Sequence, residues 1–160
     1  MIAVIQRILF ATDFSEPAKC AQAYALALAE KFGAELHVLH AVAEDVFVPA
    51  PDLAAEWLQT ETERSRQRMQ TELGPDWSAK GRAVQVIRQG HAVQETVQYA
   101  KESNADLIVI GTHGRTGLAS LLLGSVAEKI VRLATCPVLT VHPRGHQFVL
   151  DKAGARTAST

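Results

Sequence analysis

The chain has 160 residues, with 16 Lys+Arg against 17 Asp+Glu, 48% hydrophobic and 21% charged residues, and two cysteines. That length suits one domain with one continuous core. The near-neutral balance without a Lys or Arg run argues against nucleic-acid binding through counterion release, and no apolar stretch approaches the roughly 18 residues of a membrane span.

The opening Met1-Ile2-Ala3-Val4-Ile5-Gln6-Arg7 lacks a basic segment followed by a long apolar one. No signal peptide is read there, and the expected compartment is cytoplasmic. Cys20 and Cys136 stand far apart and outside any C-x-x-C pair, so they are expected as buried or half-buried thiols rather than as a disulfide or zinc site.

The first apolar run, Ile8-Leu9-Phe10-Ala11-Thr12, predicts a strand, and Asp13 with Ser15-Glu16-Pro17 predicts a turn and a helix start. That helix carries Ala18, Ala21, Ala25, Leu28, Ala29 and Phe32 at spacings of three and four, a small stripe suited to close packing, and Gly33 stops it. Glu35–Val42 predicts a second strand, and residues 43–51, with Pro49 and Pro51, a loop. Over 52–73, Ala54, Leu58, Thr62, Ser65, Met69 and Leu73 share a weakly apolar face, predicting a long and largely solvated helix.

Gly74-Pro75 breaks that helix, residues 83–88 predict a third strand, and Gly90 precedes a helix with Val93, Val97 and Ala100 on one face. The near-continuous run Asp106-Leu107-Ile108-Val109-Ile110-Gly111 predicts a central parallel strand covered on both faces. Residues 125–134 predict a fourth helix, and Cys136-Pro137 opens the last strand, Val138–Val141. Five strands alternating with four helices predict an α/β fold: an open, doubly wound parallel sheet with helices on both faces. Residues 1–143 are expected to form the single domain, and 144–160, which lack any period, a flexible tail.

In such a sheet ligands bind outside the carboxyl ends of the strands, where the strand order reverses. That rule selects the loops 12–16, 41–51, 88–91, 111–125 and 142–144. The most informative pattern there is Gly111-Thr112-His113-Gly114, nine residues, then Gly124-Ser125. Glycine lets backbone amides approach phosphate oxygens, and a helix starting at Ser125 presents N–H groups and a positive dipole end. The same residues also fit ordinary turns followed by an S-x-x-E capping box of Ser125 and Glu128. Spacing alone leaves both readings open.

The pattern from Gly111-Thr112-His113-Gly114-Arg115 through Gly124-Ser125 resembles the nucleotide-binding motif of the universal stress protein family. So do Ile8-Leu9-Phe10-Ala11-Thr12-Asp13-Phe14-Ser15-Glu16, Leu39-His40-Ala41-Val42, the 106–111 strand and Cys136-Pro137-Val138-Leu139-Thr140-Val141. Several independent segments in the right order, spanning 5–143, make the resemblance more specific than a lone glycine motif.

The resemblance implies strand order 3-2-1-4-5 in a Rossmann-like sheet of the adenine nucleotide alpha hydrolase-like kind. ATP, or a related adenine nucleotide such as AMP, ADP or a cyclic nucleotide, would lie above the first and fourth strands. By the same resemblance Asp13 would accept both ribose hydroxyls, while Ala41 and Val42 would line the adenine. Ala11, Thr12, Ile110, Gly111, His113, Gly114, Arg115, Gly124, Ser125 and Val126 would complete the site. Any Mg²⁺ would ride on the phosphates, since His37 and His40, three apart on a strand, point to opposite faces and the other histidines are scattered.

In family members the last strand pairs across a two-fold axis, which makes Val138, Leu139, Thr140 and Val141 the implied homodimer interface. An edge strand left open there would expose its backbone groups. The leucines within 116–123 need cover from the fold or a partner, whose identity the sequence leaves open.

The sequence contains no Walker lysine motif, no evident base to orient a hydrolytic water, and none of the acidic clustering of a response regulator. No catalytic residue is assigned. The expected function is an ATP-binding switch or interaction module in stress response, with loops 43–51 and 116–123 responding to occupancy. The alternatives are a slow ATP-hydrolysing enzyme of the same fold and a nucleotide-free dimeric interaction module.

Overall fold

The structure, a computed structural model, describes residues 4–43, 51–74, 77, 83–112, 123–143 and 149. In chain order the described elements are β1 (Arg7–Ala11), α1 (Glu16–Phe32), β2 (Glu35–Val42), α2 (Pro51–Leu73) and β3 (Ala83–Gln89). They continue with α3 (Ala92–Glu102), β4 (Leu107–Gly111), α4 (Ser125–Leu133) and β5 (Val138–Val141). The five strands form one sheet in the order β3-β2-β1-β4-β5, all neighbours parallel, in agreement with the expected fold.

Alternation along each strand divides the core in two. Ile8, Phe10, Leu36, Val38 and Val109 face α1 and the end of α2, with Met69 and Leu73 buried among them. Leu9, Leu39, Ile108 and Ile110 face the opposite way, against Ala100 of α3 and Ala127 and Ile130 of α4. The register sets Ala11 level with Leu39 and with Ile110, so β1 and β4 end within a residue of each other at one edge, while β2 runs on to Val42 beside β3. The ladder continues one step past the strands, because the Thr12 N–H donates to the Leu39 carbonyl and the Thr112 N–H to the Val141 carbonyl, both at 2.9 Å.

The alanine stripe of α1 does what its size allows: Ala18, Ala21, Ala25 and Ala29 are buried against the sheet. Ser15 caps the helix by accepting from the Ala18 N–H, and Gly33, at φ 64°, turns the chain into β2. Helix α2 begins one residue before its predicted start. Its C-terminal half is better anchored than a largely solvated helix would be, with Ser65, Met69 and Leu73 buried. Gln22 also donates to the Glu72 carbonyl at 2.9 Å.

The expected capping box at α4 does not form. Gly124 is the N-cap and Ser125 the first helical residue, with no side-chain cap hydrogen bond. One residue inside the helix, the Ser125 hydroxyl no longer stands where a cap must, and the Glu128 carboxylate pairs instead with Arg132 at 2.9 Å.

Cys20 and Cys136 are free and half-buried, and burial pushes both thiols up from their ordinary values. His37 and His40 do face opposite sides of β2: the first meets Tyr99 at 2.7 Å, the second lies against Phe14. No helix among the described residues is long and apolar enough to cross a membrane. Of the segment expected as a tail, Val149 is described and packs half-buried against the first core. The loop expectations for 44–50 and for 116–122 lie outside the described residues.

Candidate functional site

At the sheet edge where β1 and β4 end, the chain leaves β1 toward one face and β4 toward the other, which opens a crevice. A cavity of about 460 Å³ occupies it. Ten of the thirteen residues expected at a nucleotide site line it together: Ala11, Thr12, Asp13, Ala41, Val42, Ile110, Gly111, Gly124, Ser125 and Val126. The remaining three, His113, Gly114 and Arg115, lie outside the described residues.

Asp13 is presented by an unusual turn. Phe14, directly after it, has φ 62°, a left-handed conformation that is costly for an aromatic residue. Several contacts hold it there. Its N–H donates to Thr12 Oγ1 at 3.0 Å, Arg68 donates to its carbonyl at 2.8 Å, and its ring contacts both the His40 ring and the Arg68 guanidinium.

The Asp13 carboxylate accepts from the Ser15 N–H at 3.0 Å and from the Ser15 hydroxyl at 2.6 Å, all through Oδ1. Asp13 therefore closes the turn before α1 and also faces the cavity. The turn and ligand readings of this residue are geometrically compatible.

His40 lines the cavity from β2, and its Nδ1 lies 2.8 Å from the Thr12 carbonyl. A carbonyl can only accept, so Nδ1 carries the proton. The cavity's titratable lining, among the described residues, is Asp13, His40 and Glu61. No group of three or more His, Cys, Asp or Glu among the described residues could hold a metal ion.

Gly111 meets a different constraint from the one its motif implies. A Cβ there would lie 3.0 Å from the Pro17 carbonyl oxygen and 3.2 Å from its carbon. Its bare backbone lets the first turn of α1 approach the end of β4. Gly124, as N-cap, has no side chain to cap α4, and among the described residues the dipole end of α4 opens on the cavity beside Ser125 and Val126.

Several lining residues were not singled out from the sequence. Trp57 and Glu61 reach the cavity from α2, Ala92 and Thr96 from α3, and Ile130 from α4. Trp57 and Glu61 sit at helical spacing i and i+4 on the weakly apolar helix, which is the signal that would have paired them. Nothing in the local sequence says that this helix overhangs the sheet edge.

The comparisons with known proteins agree with this architecture. Residues 5–142 match the model of the universal stress protein family. Universal stress protein MJ0531 of Methanocaldococcus jannaschii is 34% identical over 141 residues, covering 85% of this chain and 81% of the relative.

Among solved structures, the MJ0577 protein of the same organism superposes with a TM-score of 0.80 at 29% identity, covering 91% of this chain and all of that one. A universal stress protein in complex with cAMP superposes at 0.57 with 26% identity, covering 88% and 98%. With the family match spanning the sheet from β1 to β5 and the crevice intact between them, the chain belongs to the universal stress protein family.

Proposed function

We propose that this protein binds ATP, or a closely related adenine nucleotide, in the cytoplasm, and that binding rather than turnover is its output in stress response. The observation that carries the reading is the one cavity that joins Asp13, Val42 and the N-terminus of α4, which starts at Gly124. These supply a carboxylate for ribose hydroxyls, an apolar wall for a base, and oriented N–H groups for phosphate. The cavity is large enough for a nucleotide. Mg²⁺, where present, would arrive on the phosphates and find Asp13 as the nearest carboxylate of the motif. The solved relative in complex with cAMP supports adenine nucleotides as the ligand class and favours a cyclic nucleotide as the second candidate.

Calorimetric titration of the wild-type chain with ATP and magnesium is the test. Micromolar affinity, roughly -8 kcal/mol, is expected. Gly124→Val should weaken it at least tenfold, because the added side chain crowds the start of α4 where phosphate would approach. No heat and no competition up to millimolar ATP or cAMP would sink the proposal.

The homodimer belongs to the same proposal. β5 is the edge of the sheet, and Val126, Val131 and Leu133 on neighbouring α4 are exposed. Pairing β5 with β5 of a second copy would satisfy the edge and cover part of that apolar surface. Light scattering should give twice the chain mass at micromolar protein, and Leu139→Lys should halve it. A monomeric wild type would refute the dimer without touching the nucleotide reading.

A further inference from the structure

The two ends of the cavity differ in the groups they offer a ligand. Helix α4 packs on α3 and β5 and presents its positive dipole end, whereas α2 packs on β2 and β3 and brings a carboxylate, Glu61. Arg64, largely exposed, donates to one oxygen of that carboxylate at 3.0 Å, a pair that restrains the side chain and leaves its other oxygen able to accept. A polyphosphate is drawn to the α4 end by the helix dipole and its N–H groups. Resting on the nucleotide reading above, this polarity leaves the base beside Glu61 and the half-buried indole of Trp57.

A carboxylate only accepts hydrogen bonds, so the base edge that meets it has to donate. An indole offers a flat apolar face on which a purine can stack. The helix that carries both side chains is anchored further along its length. The C-terminal half of α2 is buried through Ser65, Met69 and Leu73, and Arg68 ties it to the Phe14 carbonyl next to Asp13.

We propose that Trp57 and Glu61 read the base of the bound nucleotide: the indole stacks on the purine, and the carboxylate accepts from its exocyclic amine. The site is thereby selective for 6-aminopurines over 6-oxopurines, whose O6 would face the carboxylate as a second acceptor.

The test compares ATP with ITP, which carries O6 in place of the amine, by calorimetry on wild type, Glu61→Gln and Trp57→Leu. Wild type should favour ATP by on the order of tenfold. In Glu61→Gln the ratio should fall to within about threefold, since a carboxamide can also donate to O6. Trp57→Leu should weaken both ligands by about tenfold, leave their ratio unchanged, and abolish the ATP-induced change in tryptophan fluorescence. General damage to the fold would lower both affinities in Glu61→Gln and keep the ratio, which would count against the carboxylate.

Tight ATP binding with a wild-type ratio near one, or a ratio unmoved by Glu61→Gln, overturns this inference and leaves nucleotide binding standing. Absence of binding by both ligands overturns the two together.

Discussion

Replacing Gly111 by valine is expected to lower unfolding free energy by about 3 kcal/mol and the melting temperature by about 10 °C, as measured by urea and thermal denaturation. The added Cβ would stand 3.0 Å from the Pro17 carbonyl oxygen and 3.4 Å from the Ala18 nitrogen. Both are backbone atoms in the first turn of a helix whose buried alanines already sit close to the sheet, so neither can turn aside as a flexible side chain would. The γ-methyls of valine would force α1 away from β4. Gly111→Ala, with the Cβ alone, should cost about 1 kcal/mol. Wild-type stability in Gly111→Val would mean that the approach of α1 does not require this glycine and that only a ligand does.

Asp13→Ala is expected to weaken ATP binding by on the order of 100-fold in calorimetry, the loss of two hydrogen bonds accepted by a charged group. The same change removes the acceptor for the Ser15 N–H and hydroxyl, so unfolding free energy should fall by about 1 kcal/mol. Asp13→Asn separates the two roles. Its amide oxygen can still accept from Ser15 and keep the turn, while the lost charge and one lost acceptor still weaken ribose binding. Equal ATP affinity in wild type and Asp13→Ala would confine Asp13 to the turn before α1.

The secondary elements were legible because their signals are local. The unbroken apolar run of β4 and the three-and-four spacing of alanines in α1 each report which faces are covered, and the structure covers them so, whereas the two-residue alternation of Glu35–Val42 marked the strand but not its cover, since β2 is buried on both faces from Leu36 to His40. Strand order was less local. It came from resemblance to a family, since alternation specifies that strands are parallel but not which one follows which across the sheet.

Within the site, Asp13, Gly111 and Gly124 carried visible signals as residue types at strand and helix ends. The cap of α4 was misplaced by one residue, because the angle at which the preceding chain enters a helix decides which residue stands outside it. A serine and a glycine in sequence are both acceptable there.

The sequence by itself determined the alternating α/β plan, the edge at which the strands end, and most of the small and polar residues gathered there. Only the tertiary structure decided that Trp57 and Glu61 join them, that Phe14 adopts a left-handed turn to present Asp13, and that Gly111 serves the approach of α1. Each of these depends on contacts between segments far apart in the chain: α2 against β2, Arg68 against Phe14, Pro17 against β4. Local periodicity records how much of a residue is covered, and the crossovers of the chain decide by what.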